Sequence, residues 1–217
     1  MRLNFIGDVH GEIKLLKQRI EQIPEDELII QVGDMGAGFV KIPKFPDNVK
    51  WIRGNHDDPV LARHHYNYLG DYGFLKDLKL FYLAGAWSID WAPRKARMNN
   101  GGMIEWWEDE ELSLQELAEA RKLYNEVKPD IVVSHECPSS ITYEVLNSGP
   151  TSSIIGDYQR AKFDCQWTRT AAALEAMYQD HAPKYWVFGH YHKSITILKK
   201  ETKFICVGEL DRYTIEV

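Results

Sequence analysis

The chain has 217 residues, with 26 Lys and Arg, 32 Asp and Glu, 8 His and 3 Cys, for a formal charge of −6. At 44% hydrophobic it has the composition of a globular domain that buries its core without disulfides, not that of a disordered or fibrous chain. The acidic balance disfavours a general grip on long nucleic acid, and three scattered cysteines (Cys137, Cys165 and Cys206) point to a reducing, cytoplasmic setting. The first residues lack the basic-then-apolar order of a leader. No apolar run approaches the ~18–20 residues of a membrane span, so no membrane partner is expected.

In chain order, Leu3–Ile6 reads as a short strand ending at Gly7. Ile13, Leu15, Leu16, Ile20 and Ile23 recur at helical spacing, which predicts a helix over Glu12–Ile23, stopped by Pro24. Leu28–Val32 and Val49–Ile52 read as strands, and Asp58–Tyr68 as a helix with Pro59 in its first turn. Leu80–Leu83 and Ala86–Ile89 read as a hairpin across Ala84-Gly85, and Asp90–Glu111 as irregular. Ser113–Val127 is predicted helical, opened by the capping box Ser113-Leu114-Gln115-Glu116. Ile131–Ser134 and Tyr185–Phe188 read as buried strands, Val145–Gly156 as a loop and Thr168–Tyr178 as a helix. Ser194–Leu198, Lys203–Val207 and Tyr213–Val217 alternate like antiparallel strands. The order predicts one α/β domain over residues 1–217, with two packed sheets and helices outside.

Five loops that follow apolar runs carry related chemistry. They read Gly7-Asp8-Val9-His10-Gly11, Gly33-Asp34-Met35-Gly36, Gly54-Asn55-His56-Asp57, Ser134-His135-Glu136 and Gly189-His190-Tyr191-His192. Each falls at the carboxyl end of a predicted strand, the edge at which open α/β sheets bind ligands. Together they present carboxylates, an amide and imidazoles, a set suited to Mn, Fe, Zn or Ni, with no thiolate among them. So many donors exceed the needs of one ion. They fit two ions that share a carboxylate, spaced ~3.5–4 Å apart to clamp a phosphoryl group.

Taken in this order, the motifs resemble those of calcineurin-like metallophosphoesterases, with GDxH, GD, GNH, H and GHxH spanning residues 7 to 192. The resemblance implies a four-layer α/β/β/α sandwich, two mixed sheets flanked by helices, with a dinuclear centre at the strand ends. It implies that Asp8, His10 and His192 bind a first metal, that Asn55, His135 and His190 bind a second, and that Asp34 bridges both. It further implies that His56 is catalytic rather than a ligand, protonating the leaving oxygen or stabilising the transition state while a bridging hydroxide attacks phosphorus. Two divalent ions are expected as cofactors, Mn first, with Fe, Zn or Ni as alternatives.

The branch with protein-phosphatase activity carries GDxxDRG at its second motif. Here Ala37 and Gly38 stand where that branch has Asp and Arg, and Glu136-Cys137 follows His135. A general phosphoesterase acting on phosphomonoesters or small phosphodiesters is therefore the expectation. A Ser/Thr-type protein phosphatase, a nuclease and a non-catalytic scaffold remain the alternatives. Arg53, before Gly54, and Arg94 and Arg97 are the candidates for holding phosphate, since a guanidinium donates two parallel hydrogen bonds. Residues 84–112 form a candidate substrate-cap insertion. Trp106-Trp107 reads either as a lid or as packing under an acidic helix start. His64-His65 are expected to be non-catalytic and Cys137 to be a buried thiol.

Overall fold

The computed structural model describes residues 2–148 and 168–217. Ten strands form two mixed sheets among the described residues. They are β1 (Arg2–Ile6), β2 (Leu28–Gln31), β3 (Val49–Trp51), β4 (Tyr72–Leu75), β5 (Leu80–Leu83), β6 (Ile131–Ser134), β7 (Tyr185–Phe188), β8 (Ile195–Lys199), β9 (Thr202–Cys206) and β10 (Arg212–Glu216). The smaller sheet runs β10-β1-β2-β3 and the larger β4-β5-β6-β7-β9-β8. Within them β1, β2 and β3 are parallel, as are β5, β6, β7 and β9, while β10, β4 and β8 pair antiparallel at the edges. The helices are α1 (Ile13–Ile20), α2 (Pro59–Arg63), α3 (Trp91–Asn99), α4 (Leu114–Val127), α5 (Ser139–Asn147) and α6 (Arg169–Asp180).

The two-residue period of the strands builds four layers. Leu3, Phe5 and Ile30 of the small sheet, with Val32 just beyond β2, meet Leu80, Tyr82, Val133, Val187 and Ile205 of the large one in a core between the sheets. The intervening residues face outwards. Ile6, Ile29 and Trp51 pack with Leu16 of α1 and Ala62 of α2. Phe81, Val132, Trp186 and Phe204 pack with Leu117 and Tyr124 of α4, Ile141 of α5 and Leu174 of α6. Every central strand is thus buried on both faces, as parallel strands require. The expected α/β/β/α sandwich is the observed architecture.

Several elements differ from expectation for local reasons. The predicted hairpin is absent: β5 pairs antiparallel with β4, which the sequence reading missed, and residues 86–89 are irregular. The predicted helix over 58–68 stops at Arg63. Asn67 turns inward instead, accepting from the Phe45 N–H and donating to the Pro46 and Val49 carbonyls. The chain then runs alongside β3, with Trp51 N donating to the Asn67 carbonyl and Leu69 N to that of Trp51. The first helix ends at Ile20, so Ile23 packs into the core from beyond it. α3 lies in the stretch expected to be irregular, and α5 takes in Val145–Asn147, expected to be loop. Residues 149–156 of that expected loop, and Cys165, lie outside the described residues. Of the tail strands, β8 and β9 pair as expected, whereas β10 crosses to the small sheet beside β1. The capping box at Ser113 and Glu116 opens α4. Among the described residues no helix is long and apolar enough to cross a membrane.

Candidate metal centre

Because β1–β3 and β5–β7 are each parallel, their carboxyl ends open on one edge, and the five sequence loops meet there. The Asp8, His10, Asp34 and His192 ligand atoms all lie within 4.8 Å of one another. His10 Nε2 is 3.0 Å from His192 Nε2 and 3.8 Å from Asp34 Oδ2, and His192 Nε2 is 3.3 Å from Asp8 Oδ2. On the opposite side of Asp34, Oδ1 lies 3.3 Å from His135 Nε2, which is 3.2 Å from Asn55 Oδ1. The His190 ring stands 5.1 Å from that of His135, and its backbone N–H reaches Asp8. Asp34 therefore presents one oxygen to each of two donor groups.

The backbone holds these side chains in uncommon conformations. His10, Asp34, His190 and His192 all have positive φ, at 46°, 57°, 69° and 51°. Such strain persists where surrounding structure over-determines it, and it concentrates at functional sites. The source here is hydrogen bonding. The Asp34 carbonyl accepts from the Val9 and His10 N–H groups, joining the first two loops. Asp57, which the sequence reading passed over, joins the second and third: its buried carboxylate accepts from the N–H groups of Met35, Gly36, Ala37 and Gly54. Its visible signal is its place directly after Gly54-Asn55-His56. Gly54 is required by contact, since a Cβ there would collide with Asp34 Oδ1 and His135 Nε2.

The electrostatics call for cations. Asp8 and Asp34 are buried, and their ion-pair partners among the described residues are all histidines. Buried carboxylates need a counter-charge. Burial raises the Asp34 carboxyl, but the charges of His135, His56 and His10 outweigh it and hold it well below the usual range. Burial lowers His135, yet the charge and hydrogen bond of Asp34 raise it to about 10. Buried carboxylates beside imidazole lone pairs, with no thiolate in the group, match the donor set of borderline divalent metals.

Around this core lie groups that orient it. Asn55 Nδ2 donates to Ser88 Oγ at 3.0 Å, and Ser88 donates from both N and Oγ to the Glu110 carboxylate at 2.7 Å. Burial pushes the Glu110 carboxyl up to about 7. Glu136 lies 3.5 Å from His190 Nε2 and accepts from the Tyr191 hydroxyl and the Cys137 N–H; burial raises it to about 7.

His56 sits at the rim, its backbone N–H donating to Asp34 Oδ1 at 2.8 Å. Burial lowers its side chain to about 4, with Asp34 opposing and Arg94 assisting. Of the three candidate arginines, Arg94 alone reaches this ring, with Nη2 2.9 Å from His56 Nε2 and Nε on Asp90. Arg53 departs from expectation. It is wholly buried and donates to Asp71 and to the Glu110 carbonyl, which makes it a strut rather than a substrate contact. Arg97 is exposed and bound to Glu105. Trp107 packs edge-on against Phe39, and Trp106 faces Trp91. His64 bonds within its own helix, and His65 accepts from the Trp51 indole.

Two sheets that deliver a carboxylate–imidazole cluster to a shared edge define a metal-binding α/β protein. The family model described as calcineurin-like phosphoesterase matches residues 1–194, and the chain belongs to that family of hydrolases acting on phosphate esters. No curated protein sequence is significantly similar to it. Among solved structures it is similar to a dimetal phosphatase from Danio rerio, at 12% identity and TM-score 0.51, covering 97% of this chain and 88% of that one. A predicted phosphoesterase from Streptococcus pneumoniae matches at 11% identity and TM-score 0.45, over 99% and 83% of the two chains. A putative 5'-nucleotidase from Staphylococcus aureus matches at 16% identity and TM-score 0.47, over 99% of this chain and 50% of that one. At 12% identity the likeness to the Danio rerio structure shows the fold alone.

Proposed function

We propose that this phosphoesterase hydrolyses phosphomonoesters or small phosphodiesters at a dinuclear metal centre. The observation that carries the reading is Asp34, with one carboxylate oxygen facing Asp8, His10 and His192 and the other facing His135 and Asn55. Asp8, His10, Asp34 and His192 would hold one ion, and Asp34, Asn55, His135 and His190 the other. When bound, two divalent ions, Mn first and Fe, Zn or Ni otherwise, supply Lewis acidity and a water nucleophile at neutral pH. The chain's own residues do the rest. Arg94 pairs its guanidinium with non-bridging phosphate oxygens. That pairing frees the His56 ring to hold a proton for the leaving oxygen. The 84–112 segment, which carries Ser88, Arg94 and Glu110, acts as the substrate cap.

A nuclease would need an open basic track, whereas Arg97, the neighbour of Arg94 on α3, is already paired with Glu105. A scaffold would need a gap in the donor set, and each motif position is filled. Two free buried thiols, Cys137 and Cys206, fit the cytoplasmic setting. The test is hydrolysis of p-nitrophenyl phosphate and its bis ester with and without Mn. Metal-stimulated turnover of either supports the reading, and folded protein inert to both overturns it.

A further inference from the structure

We propose that Glu209 is the positioning carboxylate of His192, a role that rests on the dinuclear reading above. Glu209 comes from a sixth strand-end loop. β9 runs parallel to β7, so the chain leaving Cys206 emerges on the same edge as the other five. The turn that follows lies beyond residue 194, where the family match ends.

This turn is stitched to the centre by its backbone. Leu210 N donates to the Asp8 carbonyl at 3.0 Å, and Gly7 N donates to the Asp211 carbonyl at 3.1 Å. Gly208 N donates to Ser194 Oγ at 3.1 Å, and that hydroxyl donates to the Asp211 carboxylate. Leu210 takes a positive φ of 53° to close the turn. The turn is thereby fixed between β1 and the His192 loop, although the Glu209 side chain is itself 52% exposed.

From this anchor, Glu209 Oε1 lies 3.1 Å from His192 Nδ1 and 3.6 Å from His10 Nε2. The opposite nitrogen of His192, Nε2, faces Asp8 at 3.3 Å and His10 at 3.0 Å. A carboxylate on Nδ1 keeps the proton there and turns the Nε2 lone pair towards the cluster. Such a partner fixes both tautomer and ring angle, and raises ligand basicity. Glu136 stands in a similar relation to His190, on the buried side.

The test is calorimetric titration of the metal-free protein with Mn, using wild type, Glu209→Ala and Glu209→Gln, with melting temperatures confirming that the variants fold. Wild type is expected to bind two ions. Glu209→Ala should weaken one of the two sites about 10- to 100-fold and leave the other as it was. Glu209→Gln should stay within about threefold, because an amide oxygen still accepts from Nδ1–H. Nitrogen-15 spectra of the histidines should show the His192 Nδ1–H signal in wild type and the Gln variant, and its loss in the Ala variant. If Glu209→Ala binds both ions as wild type does, the inference fails and the dinuclear reading stands. If Gln is as weak as Ala, Glu209 is a direct ligand and the positioning role fails. If wild type binds no Mn, the dinuclear reading fails and takes this inference with it.

Discussion

The guanidinium of Arg94 lies along the imidazole of His56, with Nη2 2.9 Å from Nε2 and Nη1 3.1 Å from Nδ1. Asp90 and the Glu105 carbonyl hold the guanidinium there from the far side. A cation so placed has an obvious counterpart in a phosphate dianion. Charged hydrogen bonds of this kind contribute about 1.5–3 kcal/mol, so Arg94→Ala should lower kcat/KM roughly 10- to 100-fold. Arg94→Lys should recover part of the loss, because it restores the charge without the fork. Steady-state kinetics on p-nitrophenyl phosphate measure both.

His56 and Asp34 should separate chemistry from metal binding. The contact of His56 with Asp34 is made by its backbone N–H, which survives truncation of the side chain. His56→Ala should therefore keep both metals while turnover falls about 10²- to 10⁴-fold, the usual scale of general acid–base catalysis. Asp34→Ala removes the carboxylate that faces both donor groups, so metal content itself should drop. Mass spectrometry of the reconstituted variants gives the metal count. A His56→Ala protein that comes out empty would refute the division of roles.

What the sequence made legible follows from how each signal arises. The ligand loops were readable because each strand is a short apolar run ended by a residue with turn or ligand chemistry. β4 was hidden by Gly73, which sits in mid-strand because a Cβ there would collide with the Tyr82 ring. With β4 hidden, the turn-like Ala84-Gly85 points Leu80–Leu83 towards residues 86–89 instead of its true partner, β4. α3 has no apolar stripe and buries no residue, so hydrophobic periodicity does not reveal it. Glu209 and Glu110 are single carboxylates in polar loops; only tertiary placement distinguishes them from solvated acids. Arg53 looked like a phosphate ligand by its place before Gly54. Its partner Asp71 lies far along the chain, and only the fold brings the two together.

The Asn55 amide is held by a relay that can be cut at a distance from it. Ser88 accepts from Asn55 Nδ2 and donates to Glu110, leaving Asn55 Oδ1 towards His135. Ser88→Ala removes the hydroxyl and lets the amide rotate. Loss of an outer hydrogen-bond partner costs metal sites about tenfold or more, so the second Mn site should weaken by about that factor. Ser88→Thr, which keeps the hydroxyl, should restore it. Calorimetric Mn titration of the two variants checks this.

Gly54→Ala tests the close approach of the third loop to the centre. The added methyl would meet Asp34 Oδ1, Asp34 N and His135 Nε2, all within the buried heart of the site. Neither backbone nor a doubly held carboxylate can yield cheaply. The variant should fold with lowered stability and lose metal stoichiometry, whereas Gly101→Ala, which meets the backbone strain of a positive φ of 85° but no atom within 4 Å, should retain its metal. Metal analysis of the purified variants decides the matter.

Asp71 gathers Arg53, Arg63 and Tyr68 on one carboxylate and should govern acid stability. Its carboxylate accepts from buried Arg53, from half-exposed Arg63 and from the Tyr68 hydroxyl. Burial raises its carboxyl, but these partners outweigh that and hold it below the ordinary value. A carboxyl whose folded-state pKa is depressed contributes stability that is complete above its unfolded value of about 4 and is lost as pH falls through the folded value. Wild type should therefore lose stability steeply below about pH 4, and Asp71→Ala should lack that component. At neutral pH Asp71→Ala leaves the Arg53 charge buried and unpaired, which should cost about 3–5 kcal/mol. Adding Arg53→Met removes the stranded charge and should recover much of the loss. Urea unfolding of the single and double variants at neutral and acid pH measures each step; a double variant no more stable than Asp71→Ala would show that the strut is not electrostatic.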